Sequence, residues 1–286
     1  MNTDRPPMSR RRKRLLIVAG LVALAAVAFT IFAIWFLQDD APDAVSIGDA
    51  AAQVTATTDA ADTIEASVDT TAGTTADTNA DPTAATTSAD DTATSAAGSA
   101  SGGIAGTWAV DTSIGEFSFE DSTGTFVGFR VDEELSGVGS ATAVGRTPVV
   151  AGTLVVDGST ITEVSIEADM TAITTNESRR DDRVQSALDT SEFPTATFVL
   201  TTPIELTDSA LAGESFAIEA PGDLTIHGVT QPVVFPLEAQ LVGDTIVVVG
   251  SLEIEFADYG VSVPSAPVVV SAEDHGPIEL QLFFTR

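Results

Sequence analysis

From residue 117 to the C-terminus the chain keeps returning to one pattern, apolar and polar residues in alternation. The last run sets Ile278, Leu280, Leu282 and Phe284 against Glu279, Gln281 and Thr285. Val164, Ile166, Ala168 and Met170 alternate with Ser165, Glu167 and Asp169. Leu224 and Ile226 lead into Val233, Phe235, Leu237, Ala239 and Leu241 with the same beat. Ile246, Val248, Leu252, Ile254 and Phe256 form another such run, and Ala196, Phe198 and Leu200 a shorter one. Phe117 with Phe119, and residues 125–131 with Phe126 and Phe129, read as the first strands. A period of two is the period of a β-strand, and one-sided alternation argues an antiparallel sheet with one wet face. A sheet this long must close or stack to bury its inner face. Asp157-Gly158 and Gly243-Asp244 punctuate the runs as hairpin turns. Gly228 can turn without steric cost, and Pro232, which lacks a ladder donor, belongs at a strand's first position or edge.

One segment breaks the beat. Residues 176–189 offer Asn176 as an N-cap, Glu177 in the first turn, and Val184 with Leu188 one helical turn apart. A short helix is expected there. It carries Arg179, Arg180 and Arg183, half of the six basic residues that follow position 104. Phe193-Pro194 ends it and opens the next strand.

Ahead of this domain the chain changes character twice. Residues 1–14 hold six of the twelve Lys and Arg. Residues 15–37 carry no charge and would form a helix of about 35 Å, enough to cross a hydrocarbon core of about 30 Å with some tilt. The run ends in bulky Ile34-Trp35-Phe36-Leu37, not in the small residues of a cleavage site, so it reads as an uncleaved anchor. By the positive-inside rule the basic tail stays cytoplasmic and the remainder lies outside the cytoplasm. Residues 38–103 contain twelve acids, no base and no aromatic residue. Such a stretch buries too little apolar surface to offset its entropy, and it reads as a disordered tether, with O-glycosylation left open. Residues 104–286 then form one domain with 29 acids against six Arg. That charge argues against nucleic-acid binding. The absence of Cys excludes disulfides, thiolate metal sites and a Cys nucleophile.

Three ordered motifs carry a resemblance. Residues 222–233, GDLTIHGVTQPV, resemble the hairpin signature of the YceI-like family. Asn176, Arg179, Arg180 and Asp181, followed by Phe193-Pro194-Thr195-Ala196-Thr197-Phe198, resemble two further stretches of it in order and spacing. Gly106-Thr107-Trp108-Ala109-Val110-Asp111 resembles its opening strand. The resemblance implies an all-β fold: a lipocalin-like, extended antiparallel β-barrel with a short side helix. It also implies an apolar cavity for an isoprenoid-type lipid, such as an isoprenoid quinone or a prenyl phosphate, in a periplasmic or secreted protein. It leaves a homodimer open. Two departures stand out: Thr112-Ser113-Ile114-Gly115 follows Asp111 where the family has a His-Ser pair, and Arg183 stands where it often has His.

The expected apolar lining is Phe117, Phe119, Phe126, Phe129, Phe198, Phe235 and Phe256; Arg179 and Arg183 read first as partners in structural salt bridges, with Asp181 and Asp182 close by, and otherwise as contacts for an anionic head group. Each Phe could equally be ordinary core, because an eight-stranded barrel is either filled or holds one small ligand. His227 reads as a turn residue, and Glu273-Asp274-His275 as an exposed loop without the spacing of a metal site. With no nucleophile or metal motif, an enzyme is not expected, and no cofactor is required. The expected function is lipid binding by a membrane-tethered barrel. The alternative is a solid-barrel structural or stress-related domain of the cell envelope.

Overall fold

The computed structural model describes residues 41–65, 103–119, 123–137, 139–263 and 269–286. The basic tail, the apolar run 15–37 and the tether beyond residue 65 lie outside the described residues, apart from Gly103. Among the described residues no helix is long and apolar enough to cross a membrane.

The alternating runs fold into a closed antiparallel barrel. Its wall runs β1 (Gly106–Val110), β4 (Val150–Asp157), β5 (Thr160–Asp169), β7 (Thr195–Leu200), β9 (Phe216–Ile226), β10 (Val229–Val242), β11 (Thr245–Glu255) and β13 (His275–Thr285). β13 returns to β1 through Ala109 opposite Thr285 and Val110 opposite Phe284, which closes eight strands. The first half of β13 pairs instead with β2 (Phe126–Leu135), which pairs in turn with β3 (Gly139–Thr147). β6 (Thr174–Thr175), β8 (Ile204–Glu205) and β12 (Val269–Ala272) are short additions on β3, β5 and β2. Leu154, Val156, Ile166, Ala168, Ile246, Val248, Leu282 and Phe284 meet in one inner cluster. Glu163, Glu167, Glu219, Asp223, Glu238 and Glu253 face solvent from the alternate positions.

The hairpins sit where their turn residues require. β9 and β10 are joined by His227-Gly228 with φ of 50° and 71°, the doubly left-handed corner of a two-residue hairpin. The ladder between β10 and β11 begins only at Leu237, so Pro232 lies where β10 is paired on one side only. A Cβ on Gly228 would stand 2.5 Å from Phe193 Cε1, on top of the left-handed backbone. Gly228→Ala is therefore expected to cost roughly 2 kcal/mol or more. Gly243→Ala has the same backbone but open space around the added carbon, and should cost about 1 kcal/mol. Urea denaturation of the two variants separates the clash from the backbone strain.

Four expectations change. Residues 111–119 form an irregular loop, not a strand, so Phe117 and Phe119 leave the sheet. Gly115 turns with φ of 73°, and Glu116 N donates to Thr123 Oγ1 at 2.9 Å while Thr123 N donates to Glu116 O at 3.2 Å. Phe256 ends the β11 run and opens a 3-10 turn, Phe256–Tyr259. The side helix, which we call α2, is shorter than expected, Ser178–Ala187, with Glu177 at its N-cap. Asn176 is occupied elsewhere: its side chain accepts from Val144 N at 3.1 Å and donates to Thr142 O at 3.2 Å, tying the helix approach to β3.

The fourth change is the largest. The stretch expected to be disordered contains a helix, α1 (Ile47–Glu65). Ala50 and Val54, one turn apart, are buried against Val247, Val249, Phe283 and Ile114 on the outer wall. Docking holds this helix, since a helix of such composition gains little from propensity alone. Immediately before it the chain covers a buried ionic cluster. Glu279 accepts from Arg130 Nε at 2.8 Å and meets Arg146 Nη2 at 3.4 Å, with Glu279 and Arg146 each 1 % exposed. Arg130 also donates to Pro42 O, and Arg146 to Asp43 O at 3.3 Å. The Phe126 ring lies 4.1 Å under the Arg146 guanidinium. Burial draws Arg146 below its ordinary value, Glu279 raises it, and the second cation Arg130 lowers it.

Candidate ligand cavity

The inner faces of the strands enclose an apolar cavity of about 150 Å³. The period-two register delivers its lining: Leu224 and Ile226 from β9, Phe235 and Leu237 from β10, Leu280 and Leu282 from β13. Among the described residues around it, only Thr197 and Gln240 carry polar side chains, and none is charged. Such a space can hold a hydrocarbon by burial.

The two ends differ. At the β10–β11 hairpin end, Ile204 and Leu206 line the cavity beside the buried Ala210 of α3 (Asp208–Leu211), whose Thr207 cap accepts from Ala210 N at 3.3 Å. At the β9–β10 hairpin end a second cavity of about 120 Å³ lies between the barrel rim and α2. The two share Phe129, Leu188, Ile226 and Ile278. The second is the polar one, bordered by Glu133, Arg180, Arg183 and Tyr259. Arg180 is held by Glu133 at 2.9 Å and by Asn176 Oδ1 at 2.9 Å. Arg183 is exposed to solvent at the rim.

The expected lining residues divide accordingly. Phe198 and Phe235 line the first cavity in an edge-to-face pair with centroids 6.1 Å apart, Phe129 lines both cavities, and Phe256 lines the second. Phe126 points to the outer wall, beneath Arg146. Its spacing of three from Phe129 already carries that signal, because odd spacing puts two strand residues on opposite faces. Phe117 and Phe119 pack on each other at 5.5 Å and border neither cavity. Of the two Arg, Arg183 borders the second cavity, whereas the Arg179 side chain is 91 % exposed and meets Glu177 at 3.5 Å. Arg180 was not among the expected head-group contacts. The helical turn that pairs it with Val184, i to i+4, was the available clue.

Two smaller constellations lie outside the cavities. His227 Nδ1 meets Tyr259 O at 3.1 Å and its ring packs on Phe193 at 4.8 Å, so it braces the hairpin corner. Glu255, Asp274 and His275 bring their side-chain ligand atoms within 4.8 Å of one another, a spacing that a cation could bridge. His275 titrates above its ordinary value because Asp274 bonds its ring, although this corner is open to solvent.

Residues 119–284 match the sequence profile of the YceI-like domain. A UPF0312 protein of Vibrio parahaemolyticus is 27 % identical over 157 residues, 51 % of this chain and 78 % of that protein. Protein YceI of Escherichia coli O157:H7 is 35 % identical over 83 residues, 28 % of this chain and 38 % of its own length. Among solved structures, a polyisoprenoid binding domain from Saccharophagus degradans is 20 % identical at a TM-score of 0.45, covering 62 % of this chain and 97 % of that one. BcnA of Burkholderia cenocepacia is 18 % identical at 0.43, covering 55 % and 95 %.

Proposed function

The chain belongs to the YceI-like domain family, and from that premise we propose that its barrel binds an isoprenoid-type lipid by burying the chain in the apolar cavity. The observation that carries the reading is the pair of neighbouring cavities that share four lining residues, apolar at the centre and polar at the α2 end. At about 25 cal/mol per Å², hiding a few hundred Å² of hydrocarbon contributes several kcal/mol before ordering costs. The size of the space restricts how. About 150 Å³ suits a benzene-sized guest. A chain of several isoprene units must run through both cavities and displace side chains such as Phe198 and Phe235. Arg183 at the rim suits the phosphate of a prenyl phosphate, and a quinone ring would meet Tyr259 and the Arg180–Glu133 pair there.

In this reading residues 15–37 anchor the chain in the membrane, the N-terminus is cytoplasmic and the barrel works outside the cytoplasm. An unfilled interior argues against a solid structural barrel. The test is solvent extraction of the full chain, purified in detergent from its own membranes, with mass spectrometry of the extract. An isoprenoid quinone or prenyl phosphate near one per chain is expected. A chain that yields none, or only bulk phospholipid, overturns the proposal.

A further inference from the structure

The second cavity is bordered by a hydroxyl that the fold leaves unengaged. Tyr259 closes the 3-10 turn that follows β11, and it packs with Leu224 and Ile226 inside the mouth of the barrel. It is 2 % exposed and borders the second cavity. The β9–β10 hairpin pins the turn at two points: Gln231 Nε2 donates to Asp258 O at 2.9 Å, and His227 Nδ1 meets Tyr259 O at 3.1 Å. The Tyr259 backbone is thereby held in place, but among the described residues nothing hydrogen-bonds its hydroxyl. Buried polar groups are almost always satisfied, so a buried hydroxyl on a braced turn beside a cavity points to a guest that satisfies it. Burial first, and the charge of Asp258 second, raise its titration above the ordinary value, so at neutral pH the group is a donor.

Two head groups of an isoprenoid-type lipid offer an acceptor to that donor, the carbonyl of a quinone and the oxygens of a phosphate. Charge separates them. Of the three Arg on α2, Arg180 is held by Glu133 at 2.9 Å and Arg179 meets Glu177 at 3.5 Å. Arg183 remains, and against it the same end of the barrel carries Glu134, Asp182, Glu255, Asp258, Glu273 and Asp274, all exposed. His275 lies 3.2 Å from Asp274 and 3.6 Å from Glu273, and even its protonation leaves the acids in excess. A phosphate adds about 1.5–2 negative charges to this field. Like charges at a mouth with apolar walls repel it, whereas a quinone carbonyl brings no charge.

We propose that Tyr259 is the hydrogen-bond donor for the carbonyl of an isoprenoid quinone and that the acidic mouth excludes prenyl phosphates, so that the chain takes the uncharged one of the two head groups. This rests on the lipid-binding reading above. The full chain, stripped of lipid in detergent, is incubated with a benzoquinone and a monophosphate that carry the same isoprenoid chain. Each lipid retained after gel filtration is counted by mass spectrometry. At low salt the parent should retain about tenfold more quinone than phosphate, and added salt should narrow the gap by screening. Tyr259→Phe keeps the ring and removes only the hydroxyl. It should lower quinone retention about fivefold and leave phosphate retention unchanged. The double variant Glu134→Gln, Glu273→Gln should raise phosphate retention and leave that of the quinone unchanged. Phosphate retained as well as the quinone, quinone retention unmoved by Tyr259→Phe, or phosphate retention unmoved by the double variant overturns the proposal. A parent chain that retains neither lipid overturns the cavity reading, and this proposal with it.

Discussion

Glu279→Ala is expected to destabilise the barrel by about 3–5 kcal/mol, because it strips the one carboxylate from two guanidinium groups inside the outer wall. Among the described residues the ion pairs of the cluster set two cations, Arg130 and Arg146, against Glu279. Its excess charge is met by the carbonyls of Pro42 and Asp43 and by the face of Phe126. Without Glu279 no anion remains among the groups named, and Arg146 is 1 % exposed. For a domain of this size the loss corresponds to a fall in Tm on the order of 10 °C. Chemical denaturation followed by near-UV circular dichroism measures it. The triple variant Arg130→Met, Arg146→Met, Glu279→Leu is expected to recover most of the stability, since a buried ion cluster can often be exchanged for apolar groups of similar volume. A Glu279→Ala chain as stable as the parent would mean that water reaches the cluster.

Ala239→Phe is expected to abolish lipid retention while leaving the fold intact. Ala239 is buried on the inner face of β10 and borders the central cavity. The cavity is of the size that takes a benzene ring, and the variant supplies that ring covalently. Overpacking costs about 1–3 kcal/mol, within the margin of an ordinary domain. At least a tenfold fall in extractable lipid per chain is expected, a loss of about 1.4 kcal/mol or more in binding. Unchanged lipid content in a folded Ala239→Phe chain would place any ligand outside the barrel. The polar rim gives an independent control: Arg183→Ala leaves the walls of the central cavity intact and should lower retention of a phosphate-bearing lipid more than that of a quinone.

Much of this barrel was legible before folding. Alternation marked the inner faces of β5, β9, β10 and β13, because a residue two positions on returns to the same side. The dipeptides Asp157-Gly158 and Gly243-Asp244 fell at real turns, where only compact residues accept a left-handed backbone. Where the reading failed, its signal was short or ignored register. Two alternating Phe at 117 and 119 do not make a strand, and Phe126 cannot share a face with Phe129. The candidate site was legible as a class of residue, apolar and inward, more than as particular side chains, since Leu, Ile and Val supply more of the lining than Phe does.

One missed signal was present in plain view. Ile246, Val247, Val248 and Val249 form an unbroken apolar run on β11, and a strand apolar on both sides is covered on both sides. The cover comes from residues 45–54, whose composition alone suggests no such role. The order of residues thus determined the period, the turns and the family, all of them properties of neighbours along the chain. Only the tertiary structure decided that β13 closes on β1, that the interior stays open, and that the supposed tether begins as part of the wall. Each of these depends on which surfaces meet across more than a hundred residues. Alternation states that a face is buried, never against what.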